Sequence, residues 1–277
     1  MIYLSSFALS DKKVKNPNLY PYSVFQDKDC DPFVFAPITI LYGDNGCGKS
    51  TLLNIIAQKI NAKGYETYAY GQYYIQNYVE ECRFDTGEDD TGRNLSIPAG
   101  SLYMKSEDVL YEIKKIQQEE ALEQGYVYEQ VRRKGMRKDV AQEMFRSTNG
   151  RSWSTMQILK FAQEKYSNGE TAMQMLTDIL EPDNLYLLDE PEVSLSPQNQ
   201  VKLAEEINQC ARFLGCQFII ATHSPFLLSM KCAKIYDLDE DPVNVKKWTE
   251  LENVRTYFDL FMKHKDEFQS VPPKSFL

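Results

Sequence analysis

The run Gly43-Asp44-Asn45-Gly46-Cys47-Gly48-Lys49-Ser50-Thr51 has the residue types and spacing to hold a polyphosphate. Its glycines let backbone N–H groups close around phosphate oxygens. A helix starting at its end adds a partial positive charge. Lys49 can reach β- and γ-phosphates, and the Ser50 hydroxyl can ligate Mg2+. The run fits the pattern G-x-x-x-x-G-K-[ST] in full. The apolar stretch Ile38 to Tyr42 ahead of it reads as a strand, and Leu52 to Ala57 behind it reads as the start of a helix. That context is what gives such a match its meaning.

Two further clusters could complete the chemistry. Leu185-Tyr186-Leu187-Leu188-Asp189-Glu190 is an apolar strand ending in two acids. Asp189 is placed to hold Mg2+, directly or through water, and Glu190 to polarise a water for attack on the γ-phosphate. His223 follows the buried run Phe218 to Ala221, so it stands at the C-terminal end of a strand, where open α/β sheets bind ligands. Its imidazole could hydrogen-bond the γ-phosphate or the attacking water. Ser167, Asn168, Gly169 and Glu170 precede a helix, Thr171 to Leu180, and could form a second anion-binding helix start. A serine N-cap explains that segment equally well. His264, between Lys263 and Lys265, reads as solvated.

The elements that must position these groups follow from hydrophobic pattern. Ile2 to Leu9 and Phe33 to Tyr42, the latter interrupted at Pro37, are candidate strands. Helix 50–61 follows the loop. Tyr65 to Val79 is aromatic and β-favouring. Residues 85–101 hold acids, glycines and a proline and read as an exposed loop, and Ser101 to Lys105 as a short strand. From Ser106 the pattern turns helical, with Val109, Ile113 and Ile116 on one face. Residues 124–147 and 153–165 continue it, separated by Ser147 to Arg151. Residues 106–166 therefore read as a helical insertion subdomain between two parts of a core, 1–105 and 167–277. In the second part, Leu185–Leu188 and Phe218–Ala221 are continuous apolar runs suited to strands buried on both faces of a parallel sheet, joined by a helix from about Gln198 to Phe213. Ile235 to Leu238 offers a last central strand. Leu251, Val254, Phe258 and Phe261 mark a C-terminal amphipathic helix.

Composition sets limits. With 277 residues, 43% hydrophobic and 26% charged, the chain can build a packed core. The net charge of −9 argues against a general DNA-coating surface, although Arg132, Arg133, Lys134, Arg137 and Lys138 cluster within the insertion, where a nucleic acid or an acidic protein could bind. A solvated helix face explains the cluster more simply. No apolar run approaches the roughly 20 residues of a membrane span, and no signal-peptide pattern opens the chain. The six cysteines form no C-x-x-C pair and only two histidines are present, so no Cys/His zinc site suggests itself. A reduced, cytoplasmic protein with no membrane contact is expected, its cysteines mostly small core residues.

Taken in order, the phosphate loop, helical insertion, Ser-Asn-Gly-Glu, apolar strand with Asp189-Glu190, and Ala221-Thr222-His223-Ser224-Pro225 resemble an ABC-class ATPase head. The segments 185–198 and 217–225 are similar, more narrowly, to a bacterial group of stand-alone AAA/ABC-type ATPases related to SMC-like and RecF-like heads. The resemblance covers nearly the whole chain. It implies a P-loop NTPase of ABC type: an α/β fold whose mixed central sheet carries an N-terminal antiparallel β part and a helical insertion. It implies ATP and Mg2+ as cofactors, with residues 43–51 binding nucleotide, Ser50 and Asp189 holding metal, and Lys49, Glu190 and His223 acting in hydrolysis. It also implies a head-to-tail homodimer that forms on ATP, in which Ser167, Gly169 and Glu170 serve the partner's nucleotide, and a co-encoded effector protein as the output.

The chain departs from that pattern in three places. The signature reads Ser-Asn-Gly-Glu, the D-loop aspartate position holds Ser196, and Lys105, Ser106 and Glu107 stand where a glutamine is expected. Tyr20, Tyr22 and Phe25 are candidates to stack on adenine. Four functions stay open: an ATP hydrolase, an ATP-gated dimerisation switch with little turnover, a transporter's nucleotide-binding subunit, and a small-molecule kinase.

Overall fold

The computed structural model describes residues 1–277 except 13, 17, 26, 27, 29, 30, 68–71, 109–124, 150–167 and 270–277, with backbone alone for 146–149, 168–171 and 269. Its centre is a six-stranded sheet in the order β5-β6-β7-β3-β8-β9. The strands are β3 (Ile38–Tyr42), β5 (Leu102–Lys105), β6 (Leu185–Asp189), β7 (Gln217–Ala221), β8 (Lys234–Asp237) and β9 (Asn244–Lys246). All neighbouring pairs are parallel except the antiparallel hairpin partner β9. A second, three-stranded antiparallel sheet, β2-β1-β4, is built from β1 (Leu4–Ala8), β2 (Phe33–Val34) and β4 (Arg83–Thr86). The α/β class, the mixed central sheet and the antiparallel N-terminal part are as expected.

Period-two alternation explains why the central strands are apolar throughout. Ile38, Ile40, Tyr186, Leu188, Phe218 and Ile220 face one core, shared with helices Asn168–Ile179 and Pro197–Phe213. Leu41, Leu185, Leu187, Ile219 and Ala221 face the other, filled by helix Lys49–Lys59 and the small sheet. Each buried Leu or Ile contributes about 1.5–3 kcal/mol, so a sheet buried on both faces is a firm base for the loops at its ends. Gln217, fully buried at the start of β7, joins the two sheets. Its Oε1 accepts from the N–H groups of Tyr3 (2.7 Å) and Leu4 (2.9 Å), and its Nε2 donates to the Leu4 carbonyl at 2.8 Å.

Three expectations need correction. The stretch Tyr65 to Val79, read as β-favouring, contains a helix, Gln72–Glu81. Ile75 and Tyr78 are buried at helical spacing, with Tyr78 against Tyr22 and Phe25, while Tyr73 and Tyr74 are exposed. Packing overrides the β propensity of aromatic residues. The helical stretch 124–147 is two helices, 125–134 and Lys138–Asn149, divided where Gly135 takes φ +62°. In the C-terminal helix Glu252–Lys263, Leu251 and Val254 reach the core, but Phe258 and Phe261 are exposed. The proposed helix 153–165 lies outside the described residues. Among the described residues no helix is long and apolar enough to cross a membrane.

Candidate functional site

The phosphate loop joins β3 to helix Lys49–Lys59 at the C-terminal edge of the central sheet. Gly48 is the N-cap residue, in the left-handed region at φ +105°, and no side chain caps the helix. A Cβ at Gly48 would meet Val24 Cγ1 at 2.6 Å, so glycine is required both by backbone and by space. The uncapped first turn leaves N–H groups available for an anion. Lys49 is 5% exposed, and its ammonium donates to the carbonyls of Gly43 (2.7 Å) and Asp44 (3.0 Å). It is thereby held inside the loop that would receive phosphate.

The neighbours of the loop come from strands that are distant in sequence. Ser50 Oγ donates to Asp189 Oδ1 at 3.0 Å. The Tyr103 hydroxyl donates to Asp189 Oδ2 at 3.4 Å from the adjacent β5. Burial pushes the Asp189 carboxyl up from its usual value, and the Ser50 hydrogen bond opposes this. A hydroxyl and a carboxylate on one spot are a hard-oxygen donor set of the kind that suits Mg2+ shared with phosphate oxygens.

Glu190 continues β6 by donating its N–H to the Ala221 carbonyl at 2.9 Å, with φ +50°. A glutamate in that region is strained, and strain of this kind gathers at functional sites. The Glu190 carboxylate lies near His223. His223 Nε2 lies 3.9 Å from Glu190 Oε1, beyond hydrogen-bond range, and is buried with no hydrogen-bond partner among the described residues. Burial first, then the nearby Lys49 ammonium, lowers the His223 pKa from its usual value, favouring the neutral ring. A carboxylate beside an unpartnered imidazole nitrogen is a pair of groups able to orient and polarise a water.

Lys49, Ser50, Asp189, Glu190 and His223 are thus gathered at one edge. Ser167 lies outside the described residues. Gly169 and Glu170 lie in the first turn of helix Asn168–Ile179, described by backbone alone. Ser196 caps helix Pro197–Phe213, its side chain accepting from Asn199 N–H. Lys105 pairs with Glu66 at 2.8 Å, in register beside Asp189. Tyr22 and Phe25 are buried against Tyr78 and offer no open face for a base. Tyr20 remains partly exposed, its hydroxyl 3.3 Å from Thr51 Oγ1. In the basic cluster, Arg133 pairs with Glu129 and Arg137 with Asp139, which reduces its free charge.

Sequence reasoning missed three residues here. Lys28 Nζ donates to the carbonyls of Cys47 and Leu238, 2.6 Å each, tying the loop to the end of β8. Asp239 accepts the Asp44 N–H at 2.6 Å. Glu192 reaches from the turn after β6 to the backbone of His223. None belongs to a spaced motif. The one signal was Glu192 itself, an acid set in a proline turn between two wholly apolar strands.

Residues 147–229 match the family model described as "AAA domain, putative AbiEii toxin, Type IV TA system". The match and the loop geometry support an ATPase of the ABC/AAA type. A fold of that type supports nucleotide binding and hydrolysis in general. No curated protein matches the chain. Among solved structures it is similar to the SMC head domain from Thermotoga maritima, at 13% identity and TM-score 0.44, over 88% of this chain and 98% of that one. It is also similar to the Smc head domain of Pyrococcus furiosus bound to the C-terminal domain of ScpA, at 12% identity and TM-score 0.43, over 97% and 100%. Stu0660 of Streptococcus thermophilus aligns at 15% identity and TM-score 0.40, over 84% and 76%.

Proposed function

We propose that this ATPase binds Mg-ATP at residues 43–51 and hydrolyses it at the interface of a head-to-tail homodimer. The observation that carries the reading is the Ser50–Asp189 hydrogen bond, which brings the phosphate loop onto the acidic strand end. Lys49 binds the β- and γ-phosphates from within its loop, and the uncapped helix start donates N–H groups to them. Mg2+, when bound by Ser50 and Asp189, neutralises charge on the phosphates. Glu190 takes a proton from the attacking water, and neutral His223 holds that water or the γ-phosphate through Nε2.

Ser167, Gly169 and Glu170 of a second copy close the site over the nucleotide. The segment between β5 and β6, whose described part includes helices 125–134 and Lys138–Asn149, transmits the nucleotide state to a partner or effector. Its attachment next to Lys105 and Asp189, which are paired in register, supports that role.

The test is Glu190→Gln. ATP binding by calorimetry should be unchanged and single-turnover hydrolysis slower by at least about 100-fold, the usual scale for losing a general base. Wild-type turnover would remove Glu190 from the mechanism. Normal dimer formation with negligible wild-type turnover would instead make the protein an ATP-gated switch.

A further inference from the structure

Glu192 stands two residues beyond Glu190, in the turn after β6, yet its carboxylate ends beneath the turn after β7. Oε1 accepts from the Thr222 hydroxyl at 2.6 Å, from the His223 N–H at 2.9 Å and from the Ser224 N–H at 3.2 Å. One oxygen taking three donors is a strong anchor, while burial pushes the Glu192 carboxyl up from its usual value against those hydrogen bonds. Its other oxygen, Oε2, is buried with no hydrogen-bond partner among the described residues. A buried carboxylate left half-satisfied is unfavourable for stability alone.

The same turn is held from two other sides. Asn253 Nδ2 donates to the His223 carbonyl at 3.0 Å, and Ser224 Oγ donates to Gln200 Oε1 at 2.7 Å. The backbone of His223 is therefore fixed at both its N–H and its C=O, whereas its ring Nε2 has no hydrogen-bond partner among the described residues. That is the arrangement of a side chain aimed at something it does not touch within its own chain.

We propose that Glu192 is a positioning residue for ATP hydrolysis, locking the His223 turn to the Glu190 turn so that imidazole and carboxylate keep their spacing across the water site. The two side chains follow the ends of different strands, β6 and β7, and Glu192 shares the turn of one while gripping the backbone of the other. The inference rests on the reading of Glu190 and His223 as the groups facing the γ-phosphate.

Variants of the full chain separate reach from charge. Glu192→Gln keeps an oxygen at the same reach, while Glu192→Asp keeps the charge on a side chain one methylene shorter. Single-turnover hydrolysis, ATP affinity by calorimetry and thermal melting are measured for both, and for Glu192→Asp combined with His223→Ala. Glu192→Gln should stay within about threefold of wild type. Glu192→Asp should slow hydrolysis at least about tenfold with ATP affinity unchanged, the scale expected for a small displacement of a reacting group. In the His223→Ala background the same change should cost less than about twofold, because the two act as one unit.

A wild-type rate for Glu192→Asp, with His223→Ala slow, overturns this inference alone. The full cost persisting without the imidazole does the same. A wild-type rate for His223→Ala overturns the underlying reading and the inference with it. If Glu192→Asp does not fold, Thr222→Val removes one donor to Oε1. It should slow hydrolysis about threefold with His223 present and leave the rate unchanged without it; equal rates in the presence of His223 overturn the proposal.

Discussion

The Ser50 hydroxyl sits 3.0 Å from Asp189 Oδ1 although 139 residues separate them in the chain. The contact exists because β7 pairs in parallel with both β3 and β6, so the strand bearing the phosphate loop and the strand bearing the acids end at the same edge, one strand apart. Tyr103 reaches the other carboxylate oxygen from β5. Asp189→Asn preserves this shape and removes the charge. The Mg2+ concentration needed for half-maximal ATP hydrolysis should then rise at least about tenfold. An unchanged Mg2+ titration would mean that the metal is held elsewhere.

Lys49→Ala should weaken ATP binding at least about tenfold. A hydrogen bond from a charged group contributes about 1.5–3 kcal/mol, and each 1.4 kcal/mol is about tenfold in affinity. Calorimetry with Mg-ATP is the check. Wild-type affinity would leave the loop without its central cation and remove it as the phosphate site.

His223 supplies a pH dependence with a defined sign. Its folded pKa lies below the ordinary value of about 6.5, owing to burial and then to Lys49. Between those two values the unfolded chain binds more protons than the folded one. Stability is therefore level above about pH 6.5 and falls as the pH drops through the window toward the folded pKa. His223→Gln should lose less melting temperature than wild type on acidification from pH 7.5 to 5. Parallel curves for the two proteins would show that His223 titrates as if free.

The dimer is tested with Glu190→Gln, which should accumulate the ATP-bound state. Light scattering at micromolar protein should give a dimer mass with Mg-ATP and a monomer mass without it, as ligand linkage requires. In the proposed dimer each copy would contribute the same two patches, which would make the assembly symmetric. Ser167→Arg should abolish the dimer and spare ATP binding by the monomer. A mass that ignores both ATP and Ser167→Arg would reduce Ser-Asn-Gly-Glu to a helix cap.

The chemistry of the edge was legible because each piece is a local pattern. Gly43 to Thr51 is contiguous, Asp189-Glu190 ends a fully apolar run, and His223 follows another. The same runs identified β6 and β7 as buried parallel strands. The helix Gln72–Glu81 was not legible, because aromatic residues favour strands in isolation and only contact with Tyr22 and Phe25 places Tyr78 on a helix. For Phe258 and Phe261, spacing disclosed an apolar face but not that the core stops at Val254. Glu192 escaped notice because its value lies in three donors about 30 residues away, which no spacing rule reports.

The position of β3 has a consequence for how the protein comes into being. The strand leading into the phosphate loop is synthesised well before its neighbours, for in the sheet it borders only β7 and β8. β1, earlier still, waits for the side chain of Gln217 to satisfy Tyr3 and Leu4. A chain emerging from the ribosome therefore carries residues 43–51 without the strands that align them until β7 and β8 have been made. Such long-range pairing is slow to form, and the apolar β3 stands unpaired meanwhile. Competence to bind nucleotide should switch on only once residues beyond β8 have cleared the exit tunnel.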